Sequence, residues 1–235
     1  MIRVMKNERM GKSDLGWLNS SFHFSFAEYY NPSNMNFGVL RVINDDRVAP
    51  NSGFPTHPHE NMEIVSYVVD GVLTHRDSMG NERELTRGQV QYMSAGNGVT
   101  HSEYNLTDAP LRFLQIWIFP DKAGYTPNYG DYPYEWKDRE DQWLQIVSGG
   151  EGEAAPVKLH QDMNISVISL SPGKTAEYSL EQGRQAYLVQ IEGEGQINGN
   201  ALNPGDGVEV VEEEQILLKA QTLSHYILLE MKQGN

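Results

Sequence analysis

Two short pairs of residues in the first half of the chain have the composition and spacing of metal ligands. His57 and His59 are separated by one residue, and His101 and Glu103 repeat this spacing further along. In an extended strand, alternate side chains point to the same face, so each pair would present two ligands on one side. Two such strands side by side would bring four nitrogen and oxygen ligands to one point. The spacing predicts a metal site, and Glu63, which has the same parity as His59, is a further candidate ligand.

The chain has 235 residues and no cysteine, so any metal must be held by histidine, aspartate or glutamate. The missing thiols also exclude a disulfide scaffold, a thiol nucleophile, an iron–sulfur cluster and a cysteine zinc finger. Four further histidines lack the paired spacing. We expect His23 to pack within an aromatic strand, and His160 and His225 to be structural. His75 is expected to form a hydrogen bond to a neighbouring strand, with orientation of a metal ligand as the alternative.

The acidic balance of the chain restricts its partners. The sequence contains 18 basic and 32 acidic side chains and has a formal net charge of -14 at pH 7. A charge of this sign repels nucleic-acid phosphates and anionic membrane surfaces, so we predict neither as a direct partner. Residues 1–12 are polar, and no stretch approaches the roughly 20 apolar residues that span a bilayer. We therefore expect a soluble cytoplasmic protein, and the charge leaves a protein partner open.

Short apolar runs of alternating polarity dominate the chain and predict an all-β fold. In the first half, the predicted strands are Phe22–Phe26, Phe37–Ile43, Met62–Val69, Val72–Asp77, Val90–Met93 and Leu111–Phe119. In the second half, they are Trp143–Val147, Ile165–Leu170, Ala186–Ile191, Val208–Val211, Ile216–Ala220 and Tyr226–Leu229. We interpret Asn44-Asp45-Asp46 as a turn that closes one strand and Asp70-Gly71 as a hairpin turn. The even spacing of the strands favours a barrel or a jelly roll.

Five aromatic residues near these strands are interpreted as core. Phe22, Phe24, Phe26, Tyr67 and Trp117 occupy positions in alternating strand patterns. Side chains on the inner face of a strand pack into the core, so we predict no ligand contact for these five.

Residues 121–141 differ in composition from the rest of the chain and are interpreted as a connecting segment. They are rich in proline, glycine, aromatic and acidic residues and show no sustained periodicity. Residues 1–120 are then the N-terminal domain and residues 142–235 the C-terminal domain. The run Tyr67–Gly71 followed by Arg87-Gly88 is echoed by Tyr187–Gln190 followed by Pro204-Gly205, and this offset of about 120 residues suggests an internal duplication.

The stretches around the two ligand pairs resemble the two motifs of cupins. The run from Gly53 through His57-Pro58-His59 and Glu63 to Gly71 is similar to the first motif, and the run from Gly88 to Asn105 is similar to the second. The resemblance to the pirin family is closer, and the segments that carry it are Gly16-Trp17-Leu18, His23–Phe26, Leu40–Asp46, His57-Pro58-His59 and Ser94–Glu103. It covers essentially the whole chain and is nearest to bacterial pirins described as quercetin 2,3-dioxygenases.

The resemblance implies a bicupin, which has two jelly-roll-like β-barrels in one chain and here one metal in the N-terminal barrel. The pirin ligands fall on His57, His59, His101 and Glu103, whereas the common cupin carboxylate would be Glu63. We assign Glu103 and keep Glu63 as the alternative.

The C-terminal barrel is expected to bind no metal. At the offset of about 120 residues, His57 and His59 correspond to Glu177 and Ser179. Residues 217–222, where a counterpart of His101 would fall, contain no histidine. The expected role of this barrel is to bury apolar surface.

Three neutral imidazoles and one carboxylate suit a divalent transition metal with open positions for Lewis-acid or O₂ chemistry. We favour Fe(II), with Cu, Ni, Co, Mn or Zn as alternatives. In the enzymes that the chain resembles, a flavonol binds the metal through its 3-hydroxyl oxygen, the ligand glutamate accepts the proton, and the ring opens with O₂ and loss of CO. The resemblance therefore implies that a flavonol such as quercetin and O₂ are the substrates and that Glu103 is both metal ligand and general base.

Two other functions stay open. Pirins in eukaryotes are linked to transcriptional regulation as iron-containing co-regulators, so the chain could be a metal- or redox-sensing binding protein. The same metal site could also serve the oxidation of another enol or diketone. Flavonol turnover compared with turnover-free partner binding separates the first of these from the dioxygenase, and a panel of substrates separates the second.

Overall fold

A computed structural model describes residues 1–149 and 155–234 and confirms the all-β fold. The strands of the first half are β1 (Ile2–Met5), β2 (Gly11–Asp14), β3 (Leu18–Phe22), β4 (Leu40–Val48), β5 (Ser52–His59), β6 (Glu63–Asp70), β7 (Val72–Asp77), β8 (Glu82–Thr86), β9 (Val90–Ser94), β10 (Val99–Asn105), β11 (Leu111–Ile118) and β12 (Asn128–Tyr132). The strands of the second half are β13 (Leu144–Gly149), β14 (Val157–Leu159), β15 (Met163–Leu170), β16 (Thr175–Ser179), β17 (Arg184–Glu192), β18 (Gly195–Ile197), β19 (Asn200–Leu202), β20 (Gly207–Val211), β21 (Gln215–Ala220) and β22 (Ser224–Lys232). The helical elements assigned in these ranges are two short 3₁₀ helices, Asn7–Arg9 and Trp136–Arg139. Neither has the length or the hydropathy to cross a membrane.

The chain divides into two compact units. The N-terminal unit consists of Gly11–Tyr134 and Val157–Gln161, and the C-terminal unit consists of Met1–Met10, Glu135–Pro156 and Asp162–Asn235 as far as they are described. The sequence boundary at residue 120 had grouped the first strand with the N-terminal domain. In the structure, β1 is the antiparallel partner of β20, because its side chains Ile2 and Val4 pack on the apolar core of the C-terminal unit.

Two antiparallel sheets form the N-terminal unit. The larger has the strand order β12-β9-β6-β11-β4-β3-β2, and the smaller has the order β5-β10-β7-β8. One end of the space between them is filled by a cluster of buried apolar side chains: Leu18, Val48, Val68, Leu73, Leu85, Leu111 and Phe113. The chain crosses between the sheets at the corner of β6 and β7, so the predicted hairpin at Asp70-Gly71 is wrong. Gly71 has φ +80°, and a Cβ at this position would collide with the backbone of Pro110.

The turn predicted at Asn44-Asp45-Asp46 is also wrong, because these residues lie in the middle of β4. Their side chains alternate between the two faces of the sheet. Asp45 accepts hydrogen bonds of 2.9 and 2.7 Å from the guanidinium group of Arg112 on the neighbouring strand β11. Asn44 and Asp46 face the opposite side and line a cavity. Tertiary partners thus keep three polar residues in a strand that their local preference for turns disfavours.

The strand predicted over Phe22–Phe26 is shifted in the structure. The strand β3 begins at Leu18 and ends at Phe22, and the chain then leaves the sheet. Ser25 Oγ, for example, donates a hydrogen bond to Asn31 O, so local contacts replace the sheet ladder.

The C-terminal unit repeats the strand order of the N-terminal unit. Its larger sheet runs β1-β20-β17-β22-β15-β13 within the unit, and its smaller sheet runs β16-β21-β18-β19. The order β9-β6-β11-β4 recurs as β20-β17-β22-β15, and β5-β10-β7-β8 recurs as β16-β21-β18-β19. This repeated order is what the predicted internal duplication requires.

Candidate metal centre

The two ligand pairs lie on neighbouring strands of the smaller sheet in the N-terminal unit. The strand β5 pairs antiparallel with β10, and His57 and His101 are direct register partners. The register shifts between His101 and Glu103, which is a bulge in the ladder at the site. At Gly53, a Cβ would collide with the backbone of Glu103 and Tyr104, so the close approach of the two strands requires glycine there.

The three histidines converge as the spacing predicted. A ligand nitrogen from each of His57, His59 and His101 lies within 4.8 Å of the corresponding atoms of the other two. The centroid of the His57 ring is 4.8 Å from that of His59 and 4.5 Å from that of His101. His57 Nδ1 donates a hydrogen bond of 2.7 Å to Pro55 O. This bond fixes the tautomer and leaves the Nε2 lone pair of His57 for a ligand.

The surroundings of His101 indicate that these three histidines fit a metal ion. Its side chain is 2% exposed, and neither ring nitrogen has a hydrogen-bond partner. An unpartnered polar atom in the protein interior is costly, because it has lost its water without gaining a replacement. A cation bound by the three imidazoles would satisfy the ligating nitrogen of His101.

His59 and His101 are held in the neutral form that binds metals. Burial, together with the neighbouring His101 and His57 rings, lowers the pKa of His59 to about 4. Burial and the nearby His57 and His75 rings lower the pKa of His101 to about 3. Both lone pairs are therefore available at neutral pH.

Glu103 forms a second candidate group with His75 and His101, which shares His101 with the first group, and is held by three hydrogen-bond donors. Its side chain is 1% exposed, and a carboxylate oxygen lies within 4.8 Å of ligand nitrogens of His75 and His101. Oε1 accepts bonds of 2.6 Å from Ser66 Oγ and 2.8 Å from Gln91 Nε2. Oε2 accepts a bond of 2.5 Å from Gln115 Nε2. These donors offset the cost of burying the carboxylate and fix its orientation.

Sequence reasoning did not identify these three donors, because they come from another sheet. The register places five residues in one row across the larger sheet, in the order Phe22, Asn44, Gln115, Ser66 and Gln91. Glu103 reaches this row from the smaller sheet. A polar residue at an inward position of an apolar strand is the one sequence signal that could have indicated them.

Glu63, the alternative carboxylate, is bound elsewhere. Its side chain is 1% exposed, and it accepts hydrogen bonds of 2.6 Å from Tyr92 Oη and Ser94 Oγ and of 2.9 Å from the backbone N–H of His160. Burial and the charge of Glu63 raise the pKa of Tyr92, so the phenol stays protonated and donates. Within residues 1–149 and 155–234, Glu63 belongs to no group that could hold a metal. Its role is to fasten the segment Val157–Gln161 within the N-terminal unit.

His75 lies behind the metal centre and bonds to its own strand. Its Nε2 donates a hydrogen bond of 3.0 Å to Asp77 Oδ2, and both side chains are fully buried. The expected bond to a neighbouring strand is thus replaced by one to an acceptor two residues along β7. The His75 ring stacks on Tyr129 at 4.8 Å, and its centroid is 5.5 Å from that of His101. His75 therefore packs beside a candidate ligand and limits the movement of its ring.

A cavity of about 420 Å³ opens beside the metal centre in the N-terminal unit. His57, His59 and Glu103 form part of its wall, and most of the remaining wall is aromatic or apolar. Trp117 lies edge-on to His59 with ring centroids 4.9 Å apart. The interpretation as core is confirmed for Phe22, Phe24 and Tyr67, which are buried, whereas Phe26 and Trp117 are half-buried and, together with Phe22, line this cavity. Strand periodicity reports which face a side chain is on but not whether the space opposite is filled.

The sequence of this chain is similar to those of known proteins over nearly its whole length. The family model for pirin matches residues 3–118, and the model for the quercetinase C-terminal cupin domain matches residues 145–231. A pirin-like protein of Caulobacter vibrioides is 42% identical over 223 residues, which cover 95% of this chain and 96% of that protein. The chain belongs to the pirin family. The quercetin 2,3-dioxygenase of Escherichia coli K12 is 37% identical over 232 residues, with coverage of 98% and 99%.

Solved pirin structures share the bicupin architecture. The crystal structure of the bacterial pirin YhhW from Escherichia coli in complex with nickel(II) matches with a TM-score of 0.92 at 35% identity, and the match covers 100% of both chains. The resemblance to pirins and the two-barrel fold inferred from it are confirmed. A metal ion is therefore bound by a relative with the same fold.

The second cupin barrel of this pirin has an apolar interior. The sequence comparison paired His57 and His59 with Glu177 and Ser179, but both of these side chains are exposed on β16. Ala176 and Tyr178 point inward instead, because a shift of one residue exchanges the two faces of a strand. They pack on a cluster of buried side chains that includes Ile216, Leu218, Leu188, Val208, Val210 and Leu228.

Lowering the pH will destabilise the metal-free protein through His59 and His101. As the pH falls below about 6.5, histidines of the unfolded chain take up protons, whereas these two stay neutral in the folded chain until the pH nears their pKa values of about 4 and about 3. The unfolded state then binds more protons, so the free energy of unfolding falls between about pH 6.5 and pH 4.

Urea unfolding of chelator-treated protein at several pH values measures this effect. The matched control is the double variant His59→Gln/His101→Gln, which retains the other titrating groups, including Asp46, whose pKa burial raises to about 7. The wild type should lose more stability on acidification than the double variant. Equal losses in both proteins would show that the two imidazoles are not responsible.

Proposed function

We propose that the chain is a metal-dependent dioxygenase that cleaves flavonols such as quercetin with O₂. The observation that carries this proposal is the opening of His57, His59 and Glu103 into a cavity with largely aromatic and apolar walls. A planar aromatic substrate suits such walls, and a metal with open positions suits the enol oxygen of a flavonol. The Escherichia coli relative named quercetin 2,3-dioxygenase supports the same assignment.

His57, His59, His101 and Glu103 would hold one divalent transition ion, for which we favour Fe(II) over Cu, Ni, Co, Mn or Zn. When bound, the ion supplies Lewis-acid and O₂ chemistry. The neutral imidazoles and the single carboxylate would leave it a net charge near +1. The nickel(II) complex of the relative YhhW supports the binding of a transition metal by this fold and leaves the choice of ion to experiment.

Glu103 would accept the proton of the flavonol 3-hydroxyl. Its Oε2 receives one hydrogen bond, from Gln115, whereas Oε1 receives two. Oε2 therefore keeps the one open acceptor site of the carboxylate, which either the ion or the flavonol proton would occupy. The three donors hold the carboxylate still, which keeps Oε2 within reach of a substrate hydroxyl without reorganisation.

The aromatic wall would orient the substrate and exclude water. Phe22, Phe26, Phe54 and Trp117 surround the cavity beside the ligand histidines. Rings that pack against a flavonol position its enol edge toward Glu103. A dry site also strengthens the interaction of the carboxylate with the proton that it accepts.

Elemental analysis and a flavonol-depletion assay test the proposal. The protein is purified without added metal, its metal content is measured, and the chelated protein is then reloaded with each candidate ion. With one of the ions, we expect quercetin loss that depends on O₂ and far exceeds the rate of that ion free in solution. Rates equal to those of the free ions with every metal would reject the enzyme assignment and favour the regulatory binding protein.

A further inference from the structure

Two polar side chains of β4 face the cavity that adjoins the metal centre. Asn44 and Asp46 lie two residues apart on one face of the strand, so their Cα atoms are about 7 Å apart. Each is 3% exposed. Asn44 is the register partner of Gln115, whose amide binds Glu103, so Asn44 lies one strand further from the metal centre.

Among the described residues, Asn44 and Asp46 have side-chain oxygen atoms that can accept further hydrogen bonds. The side-chain oxygen Oδ1 of Asn44 is buried and has no partner. Asp46 Oδ1 accepts a bond of 2.5 Å from Ser20 Oγ, and this is its one described hydrogen bond. Asp45, the residue between them, points to the other face and is paired with Arg112. Arg112 thus neutralises the charge of Asp45 on the outer face of β4, whereas Asn44 and Asp46 on the inner face have no cationic partner of this kind in the described part of the chain.

A buried acceptor without a partner is costly, and in a ligand cavity a ligand group can remove that cost. Apolar side chains form much of the remaining cavity wall, among them Leu18, Phe22, Phe54 and Trp117. Asn44 Oδ1 accepts a hydrogen bond, so its partner must be a donor such as a hydroxyl.

Asp46 adds a second hydrogen-bonding group, whose role as donor or acceptor depends on its protonation state. Burial raises its pKa to about 7, opposed by the bond from Ser20 and supported by the charges of Asp45 and Glu103. Near neutral pH, Asp46 therefore exists in both protonation states and can accept from a hydroxyl or donate to it.

We propose that Asn44 and Asp46 bind a hydroxyl group on the part of the aromatic substrate that lies away from the metal. The pair would thereby favour flavonols that carry this hydroxyl over flavonols that lack it. The inference rests on the proposed function. It assigns the metal end of the cavity to the enol unit and the β4 pair to a phenolic hydroxyl. A site that hydrogen-bonds a substrate hydroxyl discriminates strongly against the analogue that lacks it.

Anaerobic binding to the metal-loaded protein tests the inference without turnover. Quercetin carries hydroxyls on both ring systems, whereas 3-hydroxyflavone has only the hydroxyl that all flavonols share. The dissociation constants of both are measured by absorbance titration for the wild type, Asn44→Leu and Asp46→Leu. Galangin, which lacks the hydroxyls of the pendant ring, identifies the ring that the pair contacts.

We expect Asn44→Leu to reduce the preference for quercetin over 3-hydroxyflavone by about tenfold, the effect of one hydrogen bond, and to leave the affinity for 3-hydroxyflavone nearly unchanged. The comparison uses the ratio of the two affinities in each variant, so differences in metal binding between the flavonols cancel. Asn19→Leu, the same substitution at an exposed position of β3, is the matched control and should leave the ratio unchanged. Asp46→Leu, which removes the hydrogen-bonding groups of this side chain, should reduce the ratio in the same direction and provides the test if Asn44→Leu does not fold.

An unchanged ratio in both β4 variants would overturn the inference and leave the proposed function intact. An equal loss of affinity for both flavonols would also overturn it, since the pair would then act through the shape of the cavity. Failure of every flavonol to bind the metal-loaded wild type would instead reject the proposed function.

Discussion

Glu103→Gln will reduce the initial rate of quercetin loss by about 10²- to 10⁴-fold at equal metal occupancy, the usual effect of losing a positioned general base. The glutamine keeps the size of the side chain but has no negative charge to draw the flavonol proton. Gln115 can turn its amide over and present its oxygen to the new amide group, so the cavity should keep its shape. Turnover will therefore fall far more than metal occupancy does.

Glu63→Gln is the matched control, because it makes the same change at the other buried carboxylate. Tyr92, Ser94 and His160 donate to Glu63, and loss of its charge should lower the free energy of unfolding by about 1–3 kcal/mol. The rate at equal metal occupancy should not change. If Glu63→Gln lowers the rate more than Glu103→Gln does, the common cupin ligand set applies. Glu103 is then neither the metal ligand nor the general base.

Replacing any one ligand histidine will remove most of the metal. His57→Ala, His59→Ala and His101→Ala should each weaken binding by more than about 100-fold, because changes to groups that merely orient a ligand already cost 10- to 100-fold. The wild type should retain one equivalent per chain after dialysis. Elemental analysis of protein dialysed against a weak chelator measures both quantities.

His160→Ala is the control for this series, because it removes an imidazole from the same unit without touching the ligand group. It should retain its metal. Stoichiometric metal in two of the three ligand variants would reject the site as drawn. A second tightly held equivalent in the wild type would contradict the expectation that the C-terminal barrel binds none.

The sequence by itself determined the parts of the site that depend on local geometry. A strand alternates its side chains with a period of two, so the i, i+2 spacing placed His57 beside His59 and His101 beside Glu103 before any tertiary contact was known. The same alternation predicted the all-β fold and most strands of the larger sheets. The short strands β2, β8 and β12 carry few apolar residues, so their pattern was too weak to detect.

Only the tertiary structure showed that the two carboxylates have different surroundings and revealed the cavity. Glu63 and Glu103 both have the parity of a ligand, but β6 belongs to the larger sheet and β10 to the smaller. Parity along one strand says nothing about which sheet the strand joins, because that depends on contacts between residues distant in sequence. Asn44 and Asp46 resembled a turn for the same reason: they are held in a strand by the pairing of β4 with β3 and β11, which includes the ion pair between Asp45 and Arg112.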